Sequence, residues 1–337
     1  MSSIPTGPTG SFRPDLPDQR PLGSGFGATS TAADVLDGID LGGRTALVTG
    51  GYAGIGLEIV RALVGAGARV LAPARRPDEA RRTLGDLVDA GVEVAAMDLA
   101  DQQQVASYAA DVVSAGRRLD LVIDNAGIMA LPETRTDRGW EMQLATNHLG
   151  HYALVNHLWP AVAEGARVVS VSSSGHYYSP MRWDDPWLES DYDKWLAYGQ
   201  SKTANVLFAV GLDARGRARG VQASSVHPGA ILTNLGKHLT DEDVAALLAP
   251  DADGNVSIPE FKTPEQGAAT AVWAATSPLL VGHGGAYLVD CDVAPWAGDD
   301  EDGGSDSRGV KRYAVDPDEA ERLWAWSAEL TGVDAFG

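Results

Sequence analysis

The chain runs to 337 residues, 44% of them hydrophobic, and its 46 acidic against 26 basic side chains give a formal net charge of -20. That is enough apolar chain to bury the core of one large domain. The acidic excess excludes a nucleic-acid or anionic-membrane partner, since a phosphate-binding face needs clustered Lys and Arg, so any anionic ligand must be held by a few local groups.

Residues 1–30 are rich in Pro, Gly and Ser and read as a flexible N-terminal arm. The arm has no apolar segment of signal-peptide length, and no later run nears the roughly 20 apolar residues of a membrane span. A cytoplasmic protein with no membrane partner is expected. Order begins at "STAADVLDGIDL", where Ser30 or Thr31 can cap a short helix. From Thr45 onward, short β-branched runs alternate with amphipathic stretches. Strands are expected in "TALVTG", "ARVLAPA", "VEVAAMDL", "DLVIDNAG", "ARVVSVSS", "VQASSVHPG" and "GAYLVD", and helices over Ile55 to Ala66 and Val105 to Ala115. Such alternation predicts right-handed βαβ units, hence an α/β fold with one doubly wound parallel sheet and helices on both faces, spanning residues 31–296. The segment 297–309, "AGDDEDGGSDSRG", reads as a solvated acidic loop. Residues 310–337 form a C-terminal extension whose helix, "DPDEAERLWAWSAEL", offers Leu323, Trp324 and Leu330 for packing on the core. The lone cysteine, Cys291, forms no intrachain disulfide and reads as a buried thiol.

The first strand runs directly into glycines: "TALVTGGYAGIG" places Gly50, Tyr52, Gly54, Ile55 and Gly56 between a strand and a helix. Glycines there permit a tight turn, and the backbone N–H groups at the helix start can approach a pyrophosphate closely. A dinucleotide site follows, although the spacing is G-x-x-x-G-x-G rather than G-x-G-x-x-G. At the end of the second strand, "LAPARRP" presents Arg75 and Arg76 and no acid before Asp78, which favours the 2'-phosphate of NADP over the ribose diol of NAD. The plainer reading is two solvated arginines. Asp98, followed by Leu99, ends the third strand, placed either to bond an adenine amino group or to cap the next helix. In "DNAG", Asn125 can tie neighbouring loops, and Ala126 and Gly127 leave room for a flat ring.

"AYGQSKTAN" sets Tyr198 and Lys202 four apart, on one helix face. Reduction of a carbonyl leaves an alkoxide that needs a proton, and a tyrosine whose high pKa is lowered by an adjacent ammonium can give and retake one. "TGGYAGIG", "DNAG", "NHLG", "VSSS", "YGQSK" and "HPGAILT" occur in the order seen in the short-chain dehydrogenase/reductase family, which residues 40–290 resemble throughout. The resemblance is strongest to the branch of retinol dehydrogenases and WW-domain oxidoreductases. It implies a Rossmann-type fold, an NAD(P)-dependent oxidoreductase acting on a small carbonyl or alcohol, and a catalytic tetrad of Asn147, Ser173, Tyr198 and Lys202. In that scheme Tyr198 transfers the proton, Ser173 holds the substrate oxygen, Lys202 also holds the nicotinamide ribose, and Asn147 helps position a water leading from Lys202 to solvent. Pro228 and Gly229 would bring the backbone of Ile231 to the nicotinamide amide, with Thr233 bonding the amide or the phosphates.

Two features depart from the simplest family pattern. Ser173 and Tyr198 are 25 positions apart, about twice the usual separation, so Ser172 and Ser174 compete for the serine role. The insert carries Tyr177, Tyr178, Trp183, Trp187 and Trp195, which either line an apolar substrate pocket or pack the loop on the body. In "APDADGNVSIPEF", Asp251, Asp253, Gly254, Val256 and Glu260 fit positions of a calcium loop, but Ala249 stands at its first position and Pro250 and Pro259 break its helix ends, so no metal is expected. That stretch falls in a substrate lid over about 232–263. Homo-oligomers pairing through the helices of "NHLG" and "YGQSK" are a family habit that the terminal extensions could block. An NAD-dependent alcohol dehydrogenase and a cofactor-binding sensor without turnover are the rival readings.

Overall fold

In the computed structural model, residues 14–231, 234–240, 243, 261–298, 301 and 307–337 are described. The β-branched runs form β1 (Thr45–Val48), β2 (Arg69–Leu71), β3 (Val92–Glu93), β4 (Leu119–Asp124), β5 (Val162–Val171), β6 (Gln222–His227), β7 (Tyr287–Val289) and β8 (Asp292–Val293). They make one sheet in the order β3-β2-β1-β4-β5-β6-β7-β8, with every pair parallel until β8 turns back antiparallel on β7. β8 was not expected from the sequence. It is two residues long, and it forms because Asp290 and Cys291 take left-handed backbone conformations (φ 51° and 60°) and reverse the chain at once.

Among the described residues the helices are α1 (Ala32–Val35), α2 (Gly54–Gly65), α3 (Pro77–Leu84), α4 (Asp86–Asp89), α5 (Gln102–Ser114), α6 (Met142–Leu144), α7 (Gly150–Leu158), α8 (Lys194–Gly216), α9 (Pro264–Thr276) and α10 (Pro317–Thr331). Strand alternation divides the core between the sheet's two faces. Ala46, Val48, Val169, Val171 and Val226 pack with α2 and α9 on one face. Leu47, Val122, Val168 and Ala223 pack with α5, α7 and α8 on the other. Every residue of β4 is buried, as befits a parallel strand covered on both faces. The strand order reverses between β1 and β4, so the carboxyl ends of these two strands flank the crevice in which open α/β sheets bind ligands.

The described residues of both extensions are packed. Thr31, rather than Ser30, caps α1 through a capping box with Asp34. Upstream of it, in the stretch read as a flexible arm, the N–H groups of Leu22 and Gly23 donate to the Asp292 carboxylate of β8 at 2.7 and 2.9 Å, and Gln19 is buried. At the other end α10 lies along α8. Trp324 packs between Tyr152 and Phe208, with ring centroids 4.9 and 5.9 Å away. Glu321 pairs with Arg215 at 2.8 Å, and Ser327 bonds His148 at 2.8 Å, all out of solvent. Leu323 is buried and Leu330 partly so.

Candidate active site

β1 ends at the crevice and the chain turns through Gly50 (φ 64°) and Gly54 (φ 52°) into α2. Glycine is required here for two reasons. Both residues hold left-handed conformations, and a Cβ on Gly56 would collide with the Gly50 carbonyl and come within 2.5 Å of Asn125 Nδ2. Helix α2 starts from Ala53, which offers no side-chain cap, so its first N–H groups have no capping side chain. Tyr52 and Ile55 pack partly against the core on the α2 side. Asn125 closes the neighbouring edge: its N–H donates to Thr49 Oγ1 and its Nδ2 to the Thr49 carbonyl, both at 2.9 Å, while Ala126 N also donates to Thr49 Oγ1 at 2.9 Å.

β2 and β3 continue past their ends through a bridge between Ala74 and Ala96, and Arg75 follows exposed to solvent. Arg76 pairs with Glu79 at 2.8 Å, whereas Arg75 has no acid in ion-pair range among the described residues. Asp98 does not cap α5; Asp101 does, accepting from Gln103 N and Gln104 N. Asp98 Oδ1 instead accepts from Ala100 N at 3.0 Å, and Leu99 is buried against Gly150 of α7, where any Cβ would collide with the Leu99 carbonyl. After β6, Pro228 leads into Gly229 (φ 93°), and Ile231 bridges to Lys262. Ile55 and Ile231 meet over Gly267 of α9, where a Cβ would lie within 2.9 Å of both. Thr233 and the 249–260 segment lie outside the described residues. Within those residues no group of three or more His, Cys, Asp or Glu side chains could hold a metal ion.

Of the three serines after β5, Ser173 is the one that meets Tyr198. Its Oγ accepts from Gly175 N at 3.0 Å and lies with the Tyr198 ring against Gly175, close enough to pull the phenol's pKa down. Ser172 Oγ donates to the Lys202 carbonyl at 2.8 Å, and Ser174 N donates to His227. The approach is close because residue 175 is glycine: a Cβ there would sit 2.6 Å from Tyr198 Cε1. The Lys202 ammonium lies over the Tyr198 ring, 5.6 Å from its centroid, and donates to the Val171 carbonyl at 3.0 Å. Burial pushes Tyr198 up to about 12, with Ser173 pulling against it, and pushes Lys202 down to about 8. Burial therefore outweighs the expected lowering of the tyrosine by Lys202. Asn147 sits in a π-helical turn, Ala145–Leu149, before α7. Both hydrogens of its amide are taken, by the Ile128 carbonyl and by Ser201 Oγ, each at 2.9 Å, and its Oδ1 accepts from Ile128 N.

With this geometry in place, the sequence pattern of the family described as short chain dehydrogenase matches residues 44–244. A "Probable oxidoreductase" of Streptomyces lividans is 47% identical over 86% of this chain and 98% of its own length. The chain is a short-chain dehydrogenase/reductase. Retinol dehydrogenase 14 of Homo sapiens, 36% identical over 86% of this chain and 87% of its own, is similar across the same span and marks the retinol-dehydrogenase-like branch. Among solved structures, a protein from Mycobacterium paratuberculosis superposes with a TM-score of 0.69 at 33% identity, covering 92% of this chain and 99% of that one. RhlG of Pseudomonas aeruginosa, in complex with NADP, has a TM-score of 0.56 at 25% identity and covers 74% of this chain and 95% of that one. This dehydrogenase is thus an NAD(P)-dependent oxidoreductase with a small-molecule substrate. No described helix is long and apolar enough to cross a membrane.

The residues present fit a nicotinamide dinucleotide. The glycine turn leaves the space that side chains would fill, and buried Lys202 has no carboxylate in ion-pair range among the described residues, so two of its N–H groups can serve hydroxyls. The insert of this reductase divides its aromatics. Trp187 stacks on Trp140 at 5.9 Å and, with Trp183, packs on Trp326 of α10. Tyr177 bonds Glu301, whereas Tyr178 stays 37% exposed, edge-on to Trp195 beside Gly199.

Three features went unread in the sequence. Gly175 and His151 are single residues whose roles depend on what lies opposite them. The third is a polar row: Asp124, Ser170, Ser225 and Tyr287 are paired in register across β4 to β7 on the α8 face. Their buried side-chain oxygens have no hydrogen-bond partner. Burial holds the Asp124 carboxyl well above the usual carboxylate range.

Proposed function

We propose that this oxidoreductase interconverts a carbonyl and an alcohol using NADP, with Tyr198 as general acid and base. The observation that carries the reading is the meeting of Ser173 and the Tyr198 ring at Gly175, with the Lys202 ammonium over that ring and beside Gly127 and Asn147. The bound nicotinamide supplies or removes the hydride. During reduction Tyr198 gives its phenolic proton to the substrate oxygen as the carbonyl carbon is reduced, leaving an alcohol and a phenolate. Ser173 then turns its hydrogen to that oxygen, and the Lys202 ammonium over the ring stabilises the phenolate. Oxidation runs the same transfers backwards. With burial holding the phenol at about 12, its resting form is protonated, the form that reduction needs.

The exposed Arg75 at the end of β2 supports NADP over NAD, as does the likeness to the NADP-bound Pseudomonas aeruginosa protein. Trp195, one helical turn before Tyr198, and Tyr178, edge-on to Trp195, support an apolar substrate. Self-association, where it occurs, is read as using a face other than α7 and α8, since α10 lies over them.

Fluorescence titration with NADPH and NADH tests the cofactor reading. Arg75→Ala is expected to raise the NADPH dissociation constant about 10- to 100-fold, the worth of a charge-assisted hydrogen bond, and to leave NADH within about twofold. Equal losses for both nucleotides refute the role of Arg75, and no binding of either by the unaltered protein refutes the site.

A further inference from the structure

His151 lies on α7, one turn after Asn147, and is 1% exposed. Its Nε2 is 2.8 Å from Thr49 Oγ1 and its Nδ1 is 2.8 Å from the Asn147 carbonyl. The proton positions follow from the partners. Thr49 Oγ1 already accepts the N–H groups of Asn125 and Ala126, so its own hydrogen points to Nε2, which must accept. Nδ1 therefore carries the ring proton and donates it to the Asn147 carbonyl, an acceptor only. Asn147 Nδ2 in turn donates to Ser201 Oγ, which donates to the Tyr198 carbonyl at 2.7 Å.

We propose that His151, as the neutral Nδ1–H tautomer, is a positioning residue: with the covalent frame of Asn147 it completes a buried chain of hydrogen bonds that ties Thr49, beside the glycine turn, to the backbone of Tyr198. The chain joins two parts of the site that approach from opposite sides of the sheet's switch point, so it fixes the glycine turn relative to the proton donor. The neutral form is held by burial, which keeps the ring down at about 4, with the Lys202 charge acting in the same direction. The inference rests on the cofactor reading above for its consequence, but not for its geometry.

Two substitutions cut the chain at different links. In His151→Asn the shorter amide can still donate where Nδ1 stood, whereas in His151→Gln the longer one can still accept where Nε2 stood. His151→Asn is expected to raise the NADPH dissociation constant about tenfold with kcat within about twofold. His151→Gln is expected to keep NADPH affinity within about twofold and to lower kcat about tenfold, each change being the loss of one buried hydrogen bond. Equal effects of both variants on affinity and kcat, or no effect of either, overturn the proposal. A second measurement is independent of cofactor, activity and mutant folding: histidine-ring nitrogen NMR of the ligand-free, unaltered protein. A protonated Nδ1 beside a bare Nε2, assigned to His151, supports the chain; the opposite tautomer or a doubly protonated ring overturns it. Failure of the unaltered protein to bind NADPH removes the cofactor reading and leaves the tautomer to decide the chain.

Discussion

Replacing Asp124 with Asn should stabilise this enzyme, and more so as the pH rises. Asp124 ends β4 fully buried, and neither carboxylate oxygen has a partner. Burial therefore raises its native pKa well above 3.8, the value it regains on unfolding. Below about pH 3.8 the carboxyl is protonated in both states and costs nothing. Above it the unfolded chain releases the proton while the native chain keeps it, so stability is lost progressively as pH rises towards the native pKa. The slope is about 1.4 kcal/mol per pH unit, so the advantage of Asp124→Asn, which has nothing to titrate, should widen by about 1.4 kcal/mol between pH 5 and pH 6. With an unfolding entropy of about 2 cal/mol/K per residue, that gap is roughly 2 °C in Tm for a chain of this size. Urea unfolding of both proteins at pH 4, 5, 6 and 7, without nucleotide, measures it. Stability curves that run parallel from pH 4 to 7 would refute the reasoning, because Asp124 would then be ionised in the native state and matched by a partner.

Three further outcomes are expected. Tyr198→Phe should bind NADPH as before while lowering kcat about 100-fold or more, the usual share of a general acid, in any carbonyl screen that finds a substrate. Gly175→Ala forces a methyl group to within 2.6 Å of Tyr198 Cε1, and the displaced phenol should lower kcat about 100-fold with little change in melting temperature. Glu321→Ala leaves Arg215 charged and buried under α10, and should cost about 3–5 kcal/mol in chemical denaturation, whereas an exposed control such as Glu133→Ala should cost almost nothing.

The sheet and the glycine turn were legible in the sequence because their signals are local. Gly50 and Gly56 follow a β-branched run, and Tyr198 and Lys202 share a helix face by spacing alone. The choice among Ser172, Ser173 and Ser174 was not legible. It turns on which hydroxyl faces α8 once β5 ends, and on residue 175 being small enough to admit the tyrosine ring. The fate of the inserted aromatics was hidden for another reason: Trp183 and Trp187 pack on Trp326, a partner more than a hundred positions away. His151 was in view in "NHLGHY", one turn from Asn147, but its use depends on Thr49 arriving from β1. The rise in the Tyr198 pKa was not legible either, because spacing brings the lysine near without saying how deeply the phenol is buried.

The placing of α10 over α7 and α8 has a consequence for how the protein is made. Every motif that marks the chain as a dehydrogenase is translated before residue 240, yet the apolar surfaces of Tyr152, Phe208 and Trp159 are covered only when Trp324 and Phe336 leave the ribosome. Once the helix carrying the tyrosine has emerged, it has one side bare until α10 follows it out, the condition in which chaperones bind nascent chains and stalled ones aggregate. A stop codon just before Pro317 would therefore leave the whole set of catalytic motifs in a product that quality control should remove.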